Sequence, residues 1–134
     1  MNPDQASTNF YAPKFVTELR ARVQLNLQSA ERIDAQLVSL PRHMSVAQDV
    51  FELVELMLTD VIECMAKVHG TLDTTLTELE APQPVDAQIA RTILARADQE
   101  VNQRKELLAM AQKMVDGDMD VWGNEIQHNA RWDK

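Results

Sequence analysis

Apolar residues recur three and four positions apart along three long stretches of this chain. The first runs Val16, Leu19, Val23, Ala30, Ile33, Leu37 and Leu40. The second runs Val46, Val50, Leu53, Met57, Val61, Met65, Val68, Leu72, Leu76 and Leu79. The third runs Ala90, Leu94, Ala97, Val101, Leu108, Ala111 and Val115. Such spacing lays one apolar stripe along each of three helices. Helices of that length bury their stripes against one another. The spacing therefore predicts an all-α fold: an elongated antiparallel bundle or coiled coil of three long helices, joined by short turns.

Local signals mark the boundaries. Residues 1–12 are polar apart from Phe10 and Tyr11 and read as a mobile N-terminal arm, leaving 13–134 as a single helical-bundle domain. Pro13 suits the first turn of a helix, where a missing N–H costs nothing. Pro41 closes that helix after Leu40. Ser45 with Gln48 three residues on is a capping-box pattern opening the second helix. Ala81-Pro82-Gln83-Pro84 stops it near Glu80, and the third helix opens near Val85 or Asp86. Its end is ambiguous. Asp116-Gly117-Asp118 reads as a stop, yet the stripe continues in phase through Met119, Trp122, Ile126 and Ala130. A kinked extension or a short fourth helix satisfies both observations.

The bulk chemistry narrows the function. At 134 residues the chain can bury a core without disulfides or metal. Cys64 is alone and has no internal partner, which fits a cytoplasmic protein. The first residues carry no basic, then apolar, pattern of a secretory signal, and no apolar run approaches the roughly 20 residues of a membrane span. A net charge of −8 disfavours nucleic acid and anionic lipid, whose binding needs clustered Lys and Arg. Arg20, Arg22, Arg32 and Arg42 are interleaved with Glu18, Glu31 and Asp34 and form no basic patch.

Each candidate for chemistry reads better as structure. Asp116, Asp118 and Asp120 have the start of a calcium loop. Val121 and Gln127 stand where such a loop needs Gly and a chelating Glu, so helix-end roles for Gly117, Asp118 and Asp120 are expected. Glu125 and His128 form a single E-x-x-H pair, where a di-iron bundle needs two. No metal and no cofactor are therefore expected. His69 falls at the edge of the apolar arc near Phe51 and Ile62 and reads as partly buried, and His43 has no evident partner. Cys64 lies one turn from Asp60 and beside Glu63, which oppose thiolate formation. No catalytic residue emerges, and no small-molecule substrate is evident.

Asn26 and Arg104 occupy seam positions. Polar seam residues can fix register, but local drift turning Leu27 and Leu107 inward is the simpler expectation. Trp122 and Trp132, with Phe10 and Tyr11, put most aromatics near the termini, as bundle closure or as binding anchors.

The second helix is the odd member. Its apolar residues from Val50 to Met65 span about half the circumference, wider than the ~100° stripe of one contact. Either this helix touches both others or it presents an interface. The reading that follows is a non-enzymatic protein–protein interaction module, as adaptor, chaperone or regulator. It acts through a face of Phe51, Val54, Leu58 and Ile62, with Leu56 nearby, and packs on a second copy as a homodimer or on a protein partner. The alternative is an acidic inhibitor that masks a basic surface through Glu52, Glu55, Asp60 and Glu63.

Overall fold

The computed structural model describes residues 3–41, 45–80 and 86–126, with side chains from residue 13 onward. Three helices follow in chain order: α1 (Pro3–Val38), α2 (Ser45–Leu79) and α3 (Ala87–Val115). With 36, 35 and 29 residues, they are about 54, 52 and 44 Å long at ~1.5 Å per residue. Each packs on both of the others. Among the described residues there is no strand, only an isolated bridge between Met119 and Glu125.

The stripes lie inside. Val16, Leu19, Val23, Ile33 and Leu37 of α1 meet Val50, Val61, Met65 and Leu72 of α2 and Leu94, Val101 and Leu108 of α3 in one core. Val46 is the exception: it is exposed, and Ala47 takes the inward position. The wide arc of α2 is used within the fold. Val54, Val61, Val68 and Thr75 form one buried lane and Leu58, Met65 and Leu72 a second, as a helix touching two neighbours requires.

Polar pairs link the helices around this core. Arg20 binds Asp73 between α1 and α2. Arg104 binds Asp60 between α3 and α2, with Nε 3.1 Å from Oδ2. Arg22 binds Asp98, and Gln112 donates to Gln36 at 2.8 Å, between α1 and α3. Such half-exposed pairs stabilise by about 0–1 kcal/mol each. Burial of the stripes, at about 25 cal/mol per Å² of apolar surface, dominates.

Asn26 overturns the drift expectation. It is 5% exposed, sits in the seam, and donates from Nδ2 to the Val101 carbonyl at 3.1 Å, with Met65 Sδ at 3.5 Å. Leu27 is only partly buried. An amide that finds an acceptor inside the bundle loses little by burial, so the register need not slip to hide Leu27. Arg104 also keeps its seam position, its guanidinium reaching out to Asp60 and Glu100.

The ends differ from expectation at two places. Helical backbone begins at Pro3, not near Pro13, which lies inside α1. A proline removes one donor without forbidding the turns before it. At the other end α3 stops in a left-handed cap: Gly117 has φ +80, its N–H donates to Met114 O, and Asp118 N–H donates to Lys113 O at 2.8 Å. This is a Schellman closure, for which Gly is the favoured residue. Residues 118–126 then form a compact turn, neither a kinked continuation nor a fourth helix. Ser45 opens α2 as expected. Asp86 caps α3, accepting from Gln88 N–H at 2.7 Å. Residues 127–134, including His128, Ala130 and Trp132, lie outside the described residues, as does His43.

Candidate functional site

The residues singled out on α2 separate into inside and outside. Val54 and Leu58 are buried in the core, and Phe51 is partly buried against it. Val54 and Leu58 are occupied by the bundle, whereas Phe51 keeps part of its side chain at the surface. Leu56 and Ile62 remain at the surface, 69% and 51% exposed. Both are aliphatic side chains on a helix whose inward side is already filled.

Leu56 begins a lane. Asp60, Glu63 and Lys67 follow it at four, seven and eleven residues, the spacing of one helix side. Those three line a groove of about 640 Å³ between α2 and α3. Buried Cys64, Val68 and Ala97, with half-buried Ile93, give the groove apolar walls. Lys67 and Arg96 stand exposed at its edge, and neither forms an ion pair with another described residue. The groove was not legible in the sequence, because it needs α2 and α3 side by side.

Of the acidic set, Glu52, Glu55 and Glu63 are exposed and make no ion pair with a described residue, whereas Asp60 is engaged by Arg104. Asp60 stays exposed like the other three and differs from them in having the Arg104 guanidinium beside it.

Cys64 lies under Glu100. Its thiol donates to Glu100 Oε2 at 3.3 Å, and Arg104 donates to the same oxygen at 2.8 Å. Burial, then the hydrogen bond to Glu100, push its pKa from the ordinary 9.0 up to about 11, against the pull of Arg104. Two units correspond to about 100-fold less thiolate. At pH 8 the folded protein is therefore expected to react with a small alkylating reagent about 100-fold more slowly than the urea-unfolded chain, read by mass spectrometry. Equal rates would contradict this environment.

His69 is exposed rather than partly buried. Its Nε2 lies 3.4 Å from Asp73 Oδ2, and Asp73 also holds Arg20. The acidic partner lies one turn on within α2, a spacing present in the sequence, whereas the arginine that shares it comes from α1.

The turn after α3 is held from within. Asp120 Oδ1 accepts from the N–H groups of Trp122 and Asn124, both at 2.9 Å. Asp120 N–H donates to Asn124 O at 2.8 Å and Ile126 N–H to Asp118 O at 2.9 Å, and Gly123 takes φ +87. Gly117 thus has its helix-end role, while Asp120 caps a turn and not a helix. Met119 is buried and Val121 packs on the core, but Trp122 is 81% exposed. It does not close the bundle. Among the described residues no group of three His, Cys, Asp or Glu is placed to hold a metal ion, and no helix is long and apolar enough to cross a membrane.

No family model, curated protein or solved structure matches this chain.

Proposed function

We propose that this protein works without catalysis, by protein–protein contact through the apolar side chains that α2 leaves at the surface, and that its first partner is a second copy of itself. The observation that carries this reading is the exposure of Leu56 and Ile62 on a helix whose core-facing lanes are already filled. Covering one such side chain contributes about 1.5–3 kcal/mol. The chemistry-bearing groups support a non-enzymatic role: the Cys64 thiol is held protonated and His69 is tied to Asp73. A cytoplasmic setting accords with a lone, buried cysteine that has no disulfide partner.

The framework for such contact is an up-down-up antiparallel bundle with coiled-coil seams. Pairings support it. Between α1 and α2 the numbers run in opposition, Arg20 with Asp73 and Asn26 with Met65. Between α2 and α3 they do so again, Asp60 with Arg104 and Cys64 with Glu100.

Light scattering of the purified chain against Leu56→Glu/Ile62→Glu tests the reading. Both positions are exposed, so the double variant is expected to keep its helical circular dichroism and lose self-association. A variant that still assembles like wild type would place the interface elsewhere.

The second reading, an acidic protein masking a basic surface, is favoured by Glu52, Glu55 and Glu63, which no described cation neutralises. Salt separates the two. Binding to a basic target weakens steeply with ionic strength, whereas association of two copies, each at −8, is expected to hold or tighten as their repulsion is screened.

A further inference from the structure

We infer that Trp122 is the anchor of self-association and that its seat is the α2–α3 groove of a second copy. This assignment rests on the self-association reading and names its contact.

Trp122 is 81% exposed, yet its backbone is fixed. The Asp120 carboxylate holds its N–H, Gly123 closes the turn, and Met119 and Val121 fasten the turn to the core. An indole presented on an ordered turn meets a partner with little ordering cost, and tryptophan is the side chain most enriched among interface anchors.

The same chain carries a groove with the three features an indole requires. Val68, Ile93 and Ala97 offer an apolar bed. Lys67 and Arg96, free of ion pairs with described residues, can face the ring, which attracts cations. Exposed Glu63, likewise unpaired, can accept from the indole N–H, which needs a partner once covered. At about 640 Å³ the groove is in the range that holds compact ligands.

Trp122 cannot enter its own groove. Arg104 marks the groove's far end on α3, and α3 runs on to Val115, about 16 Å of helix, before a turn that is pinned. A second copy can present its indole, and a two-fold arrangement seats each Trp122 in the other's groove, because isologous contacts are made twice.

Sedimentation velocity of the full chain tests this with four variants. Trp122→Ala is expected to stay folded and to weaken self-association by about 30-fold or more. Lys67→Glu/Arg96→Glu is expected to weaken it by several-fold. Thr71→Trp, an exposed groove position, is expected to fill the groove and block it. A mixture of Trp122→Ala and Thr71→Trp restores one of the two contacts and is expected to form a heterodimer where neither variant self-associates. A Trp122→Ala chain that dimerises like wild type overturns the anchor. If Leu56→Glu/Ile62→Glu is then monomeric, self-association stands and only this contact falls. If Trp122→Ala is monomeric while both groove variants dimerise like wild type, the groove is not the seat. A wild type that stays monomeric removes both proposals.

Discussion

Met65→Ala is expected to lower the stability of the fold by about 2–5 kcal/mol, with the midpoint of thermal unfolding falling by roughly 10 °C for a chain of this size. Met65 is fully buried in the second lane of α2. Its sulfur also lies 3.5 Å from Asn26 Nδ2. Truncation removes packing against the core and leaves a gap that long, mutually braced helices cannot collapse to fill. Met65→Leu, which conserves volume, is expected to cost less than about 1.5 kcal/mol. Urea titration of both variants checks the pair. Equal and small losses would mean that the three helices are not locked around this residue.

Asn26→Asp carries the second large effect, and it is pH-dependent. The substitution keeps the shape and replaces the N–H that Asn26 donates to Val101 O with an oxygen. An ionised carboxylate there is buried, faces a carbonyl, and has no free cation: Arg22, one turn earlier, is held by Asp98 and Asn102. Leaving a buried charge unpaired costs about 3–5 kcal/mol. The protonated acid can donate to Val101 O and recover the bond, so the folded state raises the pKa of the new group above the unfolded value near 3.9. The sign follows. Below the unfolded pKa both states hold the proton and the variant approaches wild type. As pH rises above it, the unfolded chain ionises first and stability is lost until the folded pKa is passed. Denaturant unfolding at about pH 4 and pH 7.5 is expected to show a gap to wild type that is small at the lower pH and large at the higher. A gap independent of pH would contradict burial of Asn26 in the seam.

The elements whose signal is local were legible in the sequence. Periodicity identifies the three helices, and Asp86 and Gly117 mark ends because a cap is chemistry within a few residues of itself. Pro13 misled because the preference of proline for a first turn is a tendency, while a long helix can absorb one missing donor. The phase of Met119, Trp122 and Ile126 misled for a different reason. Met119 does point into the core, but the Asp120 side chain satisfies the N–H groups that a helix would have used, and Gly123 turns left-handed.

The site was legible only in part. Leu56 and Ile62 were found from composition on a wheel, yet the wheel could not tell a lane facing α1 or α3 from one facing solvent. Val54 and Leu58 therefore counted as interface, although each lies in one of the two lanes that the bundle fills. The Asn26 contact and the groove depend on how the three helices lie side by side, which no spacing within one helix contains.

Sedimentation equilibrium of the wild-type chain from about 1 µM to about 1 mM, a span matching association free energies of about −8 to −4 kcal/mol, tests the central claim that this protein acts by contact with its own kind. The expected result is an average mass rising from 15.2 kDa towards twice that value, while Leu56→Glu/Ile62→Glu stays at the lower one. A wild type that remains at 15.2 kDa across the whole range would contradict it.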